Sequence, residues 1–168
     1  LSVGEPVLIR SPHATRPWQH VLQCLSGYLT LAATLLETDD PQYCSGWNIG
    51  PLPGHELPVQ EVVEEFLAEW GSGTWINAGA EGQPHEANLL HLAIDKALRV
   101  LNWQPCWSTR ETLRQTARWY REYLSNPHNI RDLSLQQIAE YETAMAGLTQ
   151  PTPQSVNPQE PVAAALGQ

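Results

Sequence analysis

Arg16 is the residue of this 168-residue chain with the most evident capacity for chemistry. No other lysine or arginine follows it until Lys96, while Glu37 to Glu86 carries ten carboxylates. It sits in Ser11-Pro12-His13-Ala14-Thr15-Arg16-Pro17, where two prolines bar a helix and predict a turn-rich loop. A guanidinium offers a rigid fork of N–H donors that grips a phosphate or carboxylate through two parallel bonds. Spacing alone divides Arg16 evenly between such a ligand and a nearby acid of the chain. His20 follows it closely, and Trp18 between them reads as packing surface. Asn48, in Trp47-Asn48-Ile49-Gly50, stands at the mouth of an expected short strand, where ligands of α/β folds collect. Pro84-His85-Glu86-Ala87-Asn88 concentrates hydrogen-bonding groups in a loop ahead of an apolar run.

Other chemistries are missing from the text of the chain. No G-x-G-x-x-G or G-x-x-G-x-x-G spacing occurs, so no dinucleotide-binding turn is expected. Four positions after the five tyrosines stand Ala32, Trp47, Leu124, Pro127 and Met145, never lysine. G-x-S-x-G, H-E-x-x-H and C-x-x-C are absent, and the six histidines have no ligand spacing, so neither a metal site nor a self-contained catalytic centre is expected. A net charge of −9 argues against nucleic acid and against a polybasic membrane surface. No run approaches the ~20 apolar residues of a membrane span. Three dispersed cysteines suggest reduced thiols in a cytoplasmic protein.

Positioning these residues requires alternating helices and short strands, an α/β or α+β pattern with too few strands for a complete doubly wound sheet. Pro6–Arg10 reads as a buried strand. A helix follows from Leu22, with Leu22, Leu25, Leu29, Ala32, Ala33 and Leu36 on its core face. A second helix carries Val59, Val62, Val63, Phe66, Leu67 and Trp70 and ends at a left-handed Gly71. Thr74–Ile76 and Leu89–Ile94 read as strand-like, and Asp95 as the N-cap of a helix over 96–101 that Asn102 closes. Ser108 and Glu111 form a capping box for a helix ending before Asn126, with Leu113, Thr116, Ala117, Tyr120 and Leu124 on one side. A last helix starts at Ser134 and turns Leu135, Ile138, Tyr141 and Met145 inward. Residues 149–168 are rich in Pro and Gln and read as a disordered tail, leaving 1–148 as the folded region.

Taken together, Ile9 through Leu22 with its Thr15-Arg16-Pro17-Trp18-Gln19-His20-Val21 run, Leu25-Ser26-Gly27-Tyr28-Leu29, Trp47-Asn48-Ile49-Gly50-Pro51, His85-Glu86-Ala87, Asp95-Lys96-Ala97, Leu101-Asn102-Trp103-Gln104-Pro105, Trp119-Tyr120 and Gln137-Ile138 with Tyr141 resemble the second half of the CDP-glucose 4,6-dehydratases. These are extended short-chain dehydrogenase/reductases acting on nucleotide sugars. Pro17 is the specific mark, since the wider group has Asp there. Asn102 replaces the usual Gly, and His91 stands where the family has Lys.

The resemblance implies an α/β fold of which this chain is the C-terminal substrate-binding part, the NAD-binding Rossmann half lying before Leu1. It implies a lyase that moves hydride from C4 of CDP-glucose to NAD, loses water across C5–C6 and returns the hydride to C6. The product, CDP-4-dehydro-6-deoxyglucose, leads to dideoxyhexoses of lipopolysaccharide O-antigen. Arg16 would face the diphosphate with His20 and Asn48 near it, and His85 and Glu86 would lie in the loop over the substrate. No catalytic or cofactor residue would lie in this chain, and the full-length protein would be a homodimer. Another NAD-dependent sugar-nucleotide epimerase or dehydratase is the neighbouring alternative, which the Arg-Pro-Trp-Gln-His run disfavours. A non-catalytic helical interaction module is the alternative of a different class.

Overall fold

A computed structural model describes residues 1–79 and 89–149 of the chain. Helices and short strands alternate along it, compatible with an α/β class. Strand β1 (Val7–Ile9) pairs in parallel with β4 (Trp75–Asn77), Val7 opposite Trp75 and Ile9 opposite Asn77. Between them in sequence, β2 (Thr15–Arg16) pairs antiparallel with β3 (Leu57–Pro58). The expected loop around Arg16 therefore contains a short strand, because Pro17 ends the pairing without preventing it. β1 is buried only at Ile9, and Leu8 faces outward. Among the described residues no further strand forms. Trp47–Gly50 and Leu89–Ile94 are irregular, since side-chain amides occupy carbonyls that a ladder would use: Gln19 donates to Ile49 O and Asn48 to Ala93 O.

Helix α1 (Val21–Glu37) begins at an extended His20, whose Nδ1 accepts the Leu22 N–H at 3.2 Å. Its buried residues are Gln23 and Gly27. A Cβ on Gly27 would lie 2.7 Å from the Ile49 side chain, so only glycine lets the helix approach this closely. Ser26 accepts the Trp103 indole at 2.9 Å and bonds the Tyr141 hydroxyl at 2.9 Å. The stripe expected in the core points the other way: Leu25, Leu29 and Leu36 are 45%, 70% and 89% exposed, and Ala32 and Ala33 are also exposed.

Helix α2 (Val59–Trp70) ends at Gly71 with φ +90°, as expected. Helix α3 (Asp95–Arg99) is shorter than expected and starts from Ile94, with Asp95 inside its first turn. Asn102 takes φ 51°, and the Trp103 N–H reaches back to Ala97 O at 3.0 Å, closing the end of the helix. Helix α4 (Thr109–Ser125) is capped by Ser108, which accepts the Glu111 N–H; Glu111 turns its carboxylate to Arg114 and Gln115, leaving half of the capping box. Leu113 and Ala117 are buried on α4, whereas Tyr120 and Leu124 are half exposed.

Helix α5 (Ile130–Thr149) begins four residues before Ser134, continuing directly from a 3-10 turn at Pro127–Asn129. Ser134 therefore donates to Ile130 O inside the helix instead of capping it. Leu133, Gln137 and Tyr141 form its inner stripe, displacing Leu135 and Ile138 toward solvent.

The core packs Ile49, Ala97, Leu101 and Trp103 together, with Leu31, Tyr43 and Trp47 against them. Lys96 lies 4.0 Å over the Trp47 ring and donates to Ser45 Oγ and Gly46 O. No helix among the described residues is long and apolar enough to cross a membrane.

Candidate functional site

Arg16 is fastened from below by the start of α2. The Val59 N–H donates to Ala14 O and the Gln60 N–H to Pro12 O, each at 2.9 Å, and Arg16 itself pairs with Leu57. Its Nη1 donates to Thr15 O at 2.7 Å. The Trp18 N–H closes a tight turn onto Arg16 O, and the Trp18 indole donates to Leu57 O at 3.0 Å. Trp18 thus serves as packing and anchor.

Two side-chain amides extend this frame. Gln19 Nε2 donates to Ile49 O at 2.9 Å, joining the Arg16 turn to Trp47–Gly50. Asn48 Nδ2 donates to Ala93 O at 3.0 Å, joining that turn to the segment after residue 88. A Cβ on Gly50 would approach Leu92 Cδ1 to 2.9 Å, so the absence of a side chain lets these two segments touch. His91 Nδ1 lies 2.9 Å from Glu56 Oε1, and the Gly54 N–H donates to Glu56 Oε2 at 2.9 Å. The His91 hydrogen bond holds the Glu56 carboxyl below the usual carboxylate range. Glu56 adjoins Leu57, the partner of Arg16, so these contacts close a ring: Arg16, Leu57, Glu56, His91, Ala93, Asn48, Ile49, Gln19.

The structure brings Arg16 and Asn48 into one frame, with the Asn48 amide already engaged. His20 belongs to a different place. It is 7% exposed, caps α1 through Nδ1 and meets Trp107 edge-on at 4.9 Å; Trp107 meets Tyr141 in the same way. Burial lowers its pKa, opposed by the nearby Glu111 charge, so the imidazole is a neutral acceptor for the Leu22 N–H. It lines a cavity of about 440 Å³ between the start of α1, α4 and α5, with Gln19, Trp119 and Tyr120, a cavity that neither Arg16 nor Asn48 lines. His85 and Glu86 lie outside the described residues.

Gln19, Glu56 and His91 are the members of this frame to which sequence reasoning assigned no role. Their partners are distant in the chain, so spacing carries no signal for them. Among the described residues, three buried side-chain polar atoms lack a hydrogen-bond partner: Thr15 Oγ1, Gln19 Oε1 and Gln23 Nε2. Thr15 and Gln19 stand on either side of Arg16 in the chain, whereas Gln23 lies on α1 against Thr112.

No protein-family model matches the chain. It is 36% identical over 142 residues to the CDP-glucose 4,6-dehydratase of Salmonella typhimurium. The match takes in 84% of this chain and 39% of that protein, so the chain spans well under half the length of its relative. It is similar to a C-terminal portion of CDP-glucose 4,6-dehydratase.

Proposed function

We propose that this chain forms the nucleotide-sugar side of a CDP-glucose 4,6-dehydratase, a lyase converting CDP-glucose to CDP-4-dehydro-6-deoxyglucose and water. One observation carries the reading: Arg16, the lone basic residue between Arg10 and Lys96, is held on a strand inside a hydrogen-bonded ring. A preorganised guanidinium is suited to a diphosphate, which it engages through two parallel charge-assisted bonds. In this reading Arg16 takes the diphosphate, and Asn48 supports the site by fixing Ala93 through its amide. His85 and Glu86 border the sugar. His20 contributes indirectly, through the cap that sets the start of α1.

NAD is the cofactor of this reading, and the residues present do not fit it. β1 runs into Arg10–Ala14 with Pro12 at its centre, where a dinucleotide site needs a glycine-rich turn into a helix. Binding of NAD and the catalytic groups are therefore assigned to the part of the relative's length that this chain does not span, and the full-length protein is a homodimer in this reading. Residues 1–148 form the nucleotide-sugar region in this reading, which belongs in the cytoplasm with its soluble substrate.

The test uses the protein expressed from its complete coding sequence. Incubation with CDP-glucose should yield a product lighter by one water, and Arg16→Ala should weaken CDP binding at least about tenfold, the scale of a charged hydrogen bond. Unchanged CDP affinity in Arg16→Ala would remove Arg16 from the site. No CDP binding by the parent protein would leave the helical interaction module as the better reading.

A further inference from the structure

Gln19 occupies an unusual position for a half-buried amide. Its Nε2 reaches a carbonyl thirty residues away, while its Oε1 is covered by protein and has no partner among the described residues. An apolar side chain of the same length would fill this space and remove the unpaired Oε1, but it would leave the Ile49 carbonyl without its donor. What glutamine alone supplies is the bond to Ile49 O.

That bond lies close to Arg16 in the chain. The Trp18 N–H donates to Arg16 O at 2.9 Å, so residues 16–18 form one tight turn with Pro17 at its centre, and Gln19 follows it directly. Leu57 fixes the near side of the turn, through strand pairing with Arg16 and through the Trp18 indole. Gln19 fixes the far side against Ile49, which is 7% exposed and part of the core cluster. With both sides held, the backbone beneath Arg16 has one orientation. Without Gln19 the far side is held only from one residue further on, by the His20 cap and the start of α1.

We propose that Gln19 is a positioning residue for Arg16: its carboxamide ties the Arg16 turn to the core, so that the guanidinium meets a diphosphate already oriented. This rests on the reading of Arg16 as the diphosphate ligand. Gln19 touches no substrate and acts through Arg16, so its effect on binding depends on Arg16 being present.

A double-mutant cycle tests this on the protein from its complete coding sequence, with CDP affinity measured by calorimetry and melting temperature recorded for each variant. Gln19→Met keeps the length of the side chain and removes both amide atoms; Gln19→Leu is the second variant should methionine fail to fold. The expected result is a five- to tenfold loss of CDP affinity in the Arg16 background, beside a fall in melting temperature that is the same in both backgrounds, because the Ile49 carbonyl loses its donor in each. In the Arg16→Ala background the same substitution should change CDP affinity by less than about twofold. Equal losses of CDP affinity in both backgrounds, or no loss in either, would overturn the proposal. If Arg16→Ala itself leaves CDP affinity unchanged, the reading of Arg16 fails and takes this proposal with it; a normal Arg16→Ala defect beside a silent Gln19→Met sinks the positioning role alone.

Discussion

The two faces of α1 are exchanged relative to what hydrophobic periodicity suggests. The face toward the body carries Gln23, Ser26, Gly27 and Thr30, and the face toward solvent carries Val21, Leu25, Leu29 and Leu36. The inner hydroxyls satisfy themselves locally or across the interface: Thr30 donates to Ser26 O, while Ser26 bonds Tyr141 and accepts from Trp103. Close backbone approach at Gly27, rather than leucine burial, makes this contact. The comparison teaches that an apolar stripe identifies the surface needing cover without saying that the same stretch of chain supplies it. In the proposed enzyme, the part of the relative beyond this chain would supply that cover.

The contrast can be broken most forcefully from the inner side. Trp103 is 2% exposed and donates to Ser26, so Trp103→Ala should cost about 3–5 kcal/mol in urea unfolding. Gly27→Ala comes next. The added methyl would press on Ile49, and the strain should outweigh the gain in helix propensity, giving a net loss of about 1–2 kcal/mol.

The His20 cap sharpens the comparison through pH. Burial lowers the folded-state pKa of His20 below that of the unfolded chain. Its contribution is therefore complete above the ordinary imidazole value of ~6.5 and is withdrawn as pH falls toward the lowered folded value. Urea midpoints should fall between about pH 7 and pH 5, and the fall should shrink in His20→Asn, which caps without titrating. An identical slope in the variant would assign the pH dependence to other groups.

The smallest effect belongs on the outer face. In the 168-residue chain alone, Leu29→Ala should change stability by no more than about 0.5 kcal/mol, whereas a leucine inside a core would cost about 2–5. Leu25→Glu with Leu29→Glu should also reduce self-association of this chain in sedimentation, since the exposed stripe invites it. A large loss from Leu29→Ala would mean that the chain covers this face by itself, most directly by pairing with a second copy.

Much of the helical framework was legible because its signals are local. Gly71 and Asn102 take the left-handed conformations their types allow, and Ser108 caps α4. The start of α5 was misread because Ser134 can cap a helix or bond within one, and the preceding 3-10 turn decides between them. The irregular stretches at 47–50 and 89–94 carry strand-like composition, but Gln19 and Asn48 claim their carbonyls from distant positions. The same limit applies to the site. Arg16 stood out by isolation, whereas its partners through Gln19 and the Glu56–His91 contact depend on tertiary closure that no window of sequence contains.

Lys96 has a practical consequence. It is the sole lysine of the chain, and its ammonium rests on the Trp47 ring beside the core cluster. An amine-directed fluorophore would therefore have a single lysine to react with in these 168 residues. Label attached at Lys96 would sit within reach of Trp47 and register, as quenching, whether α3 stays docked while the rest of the molecule is challenged.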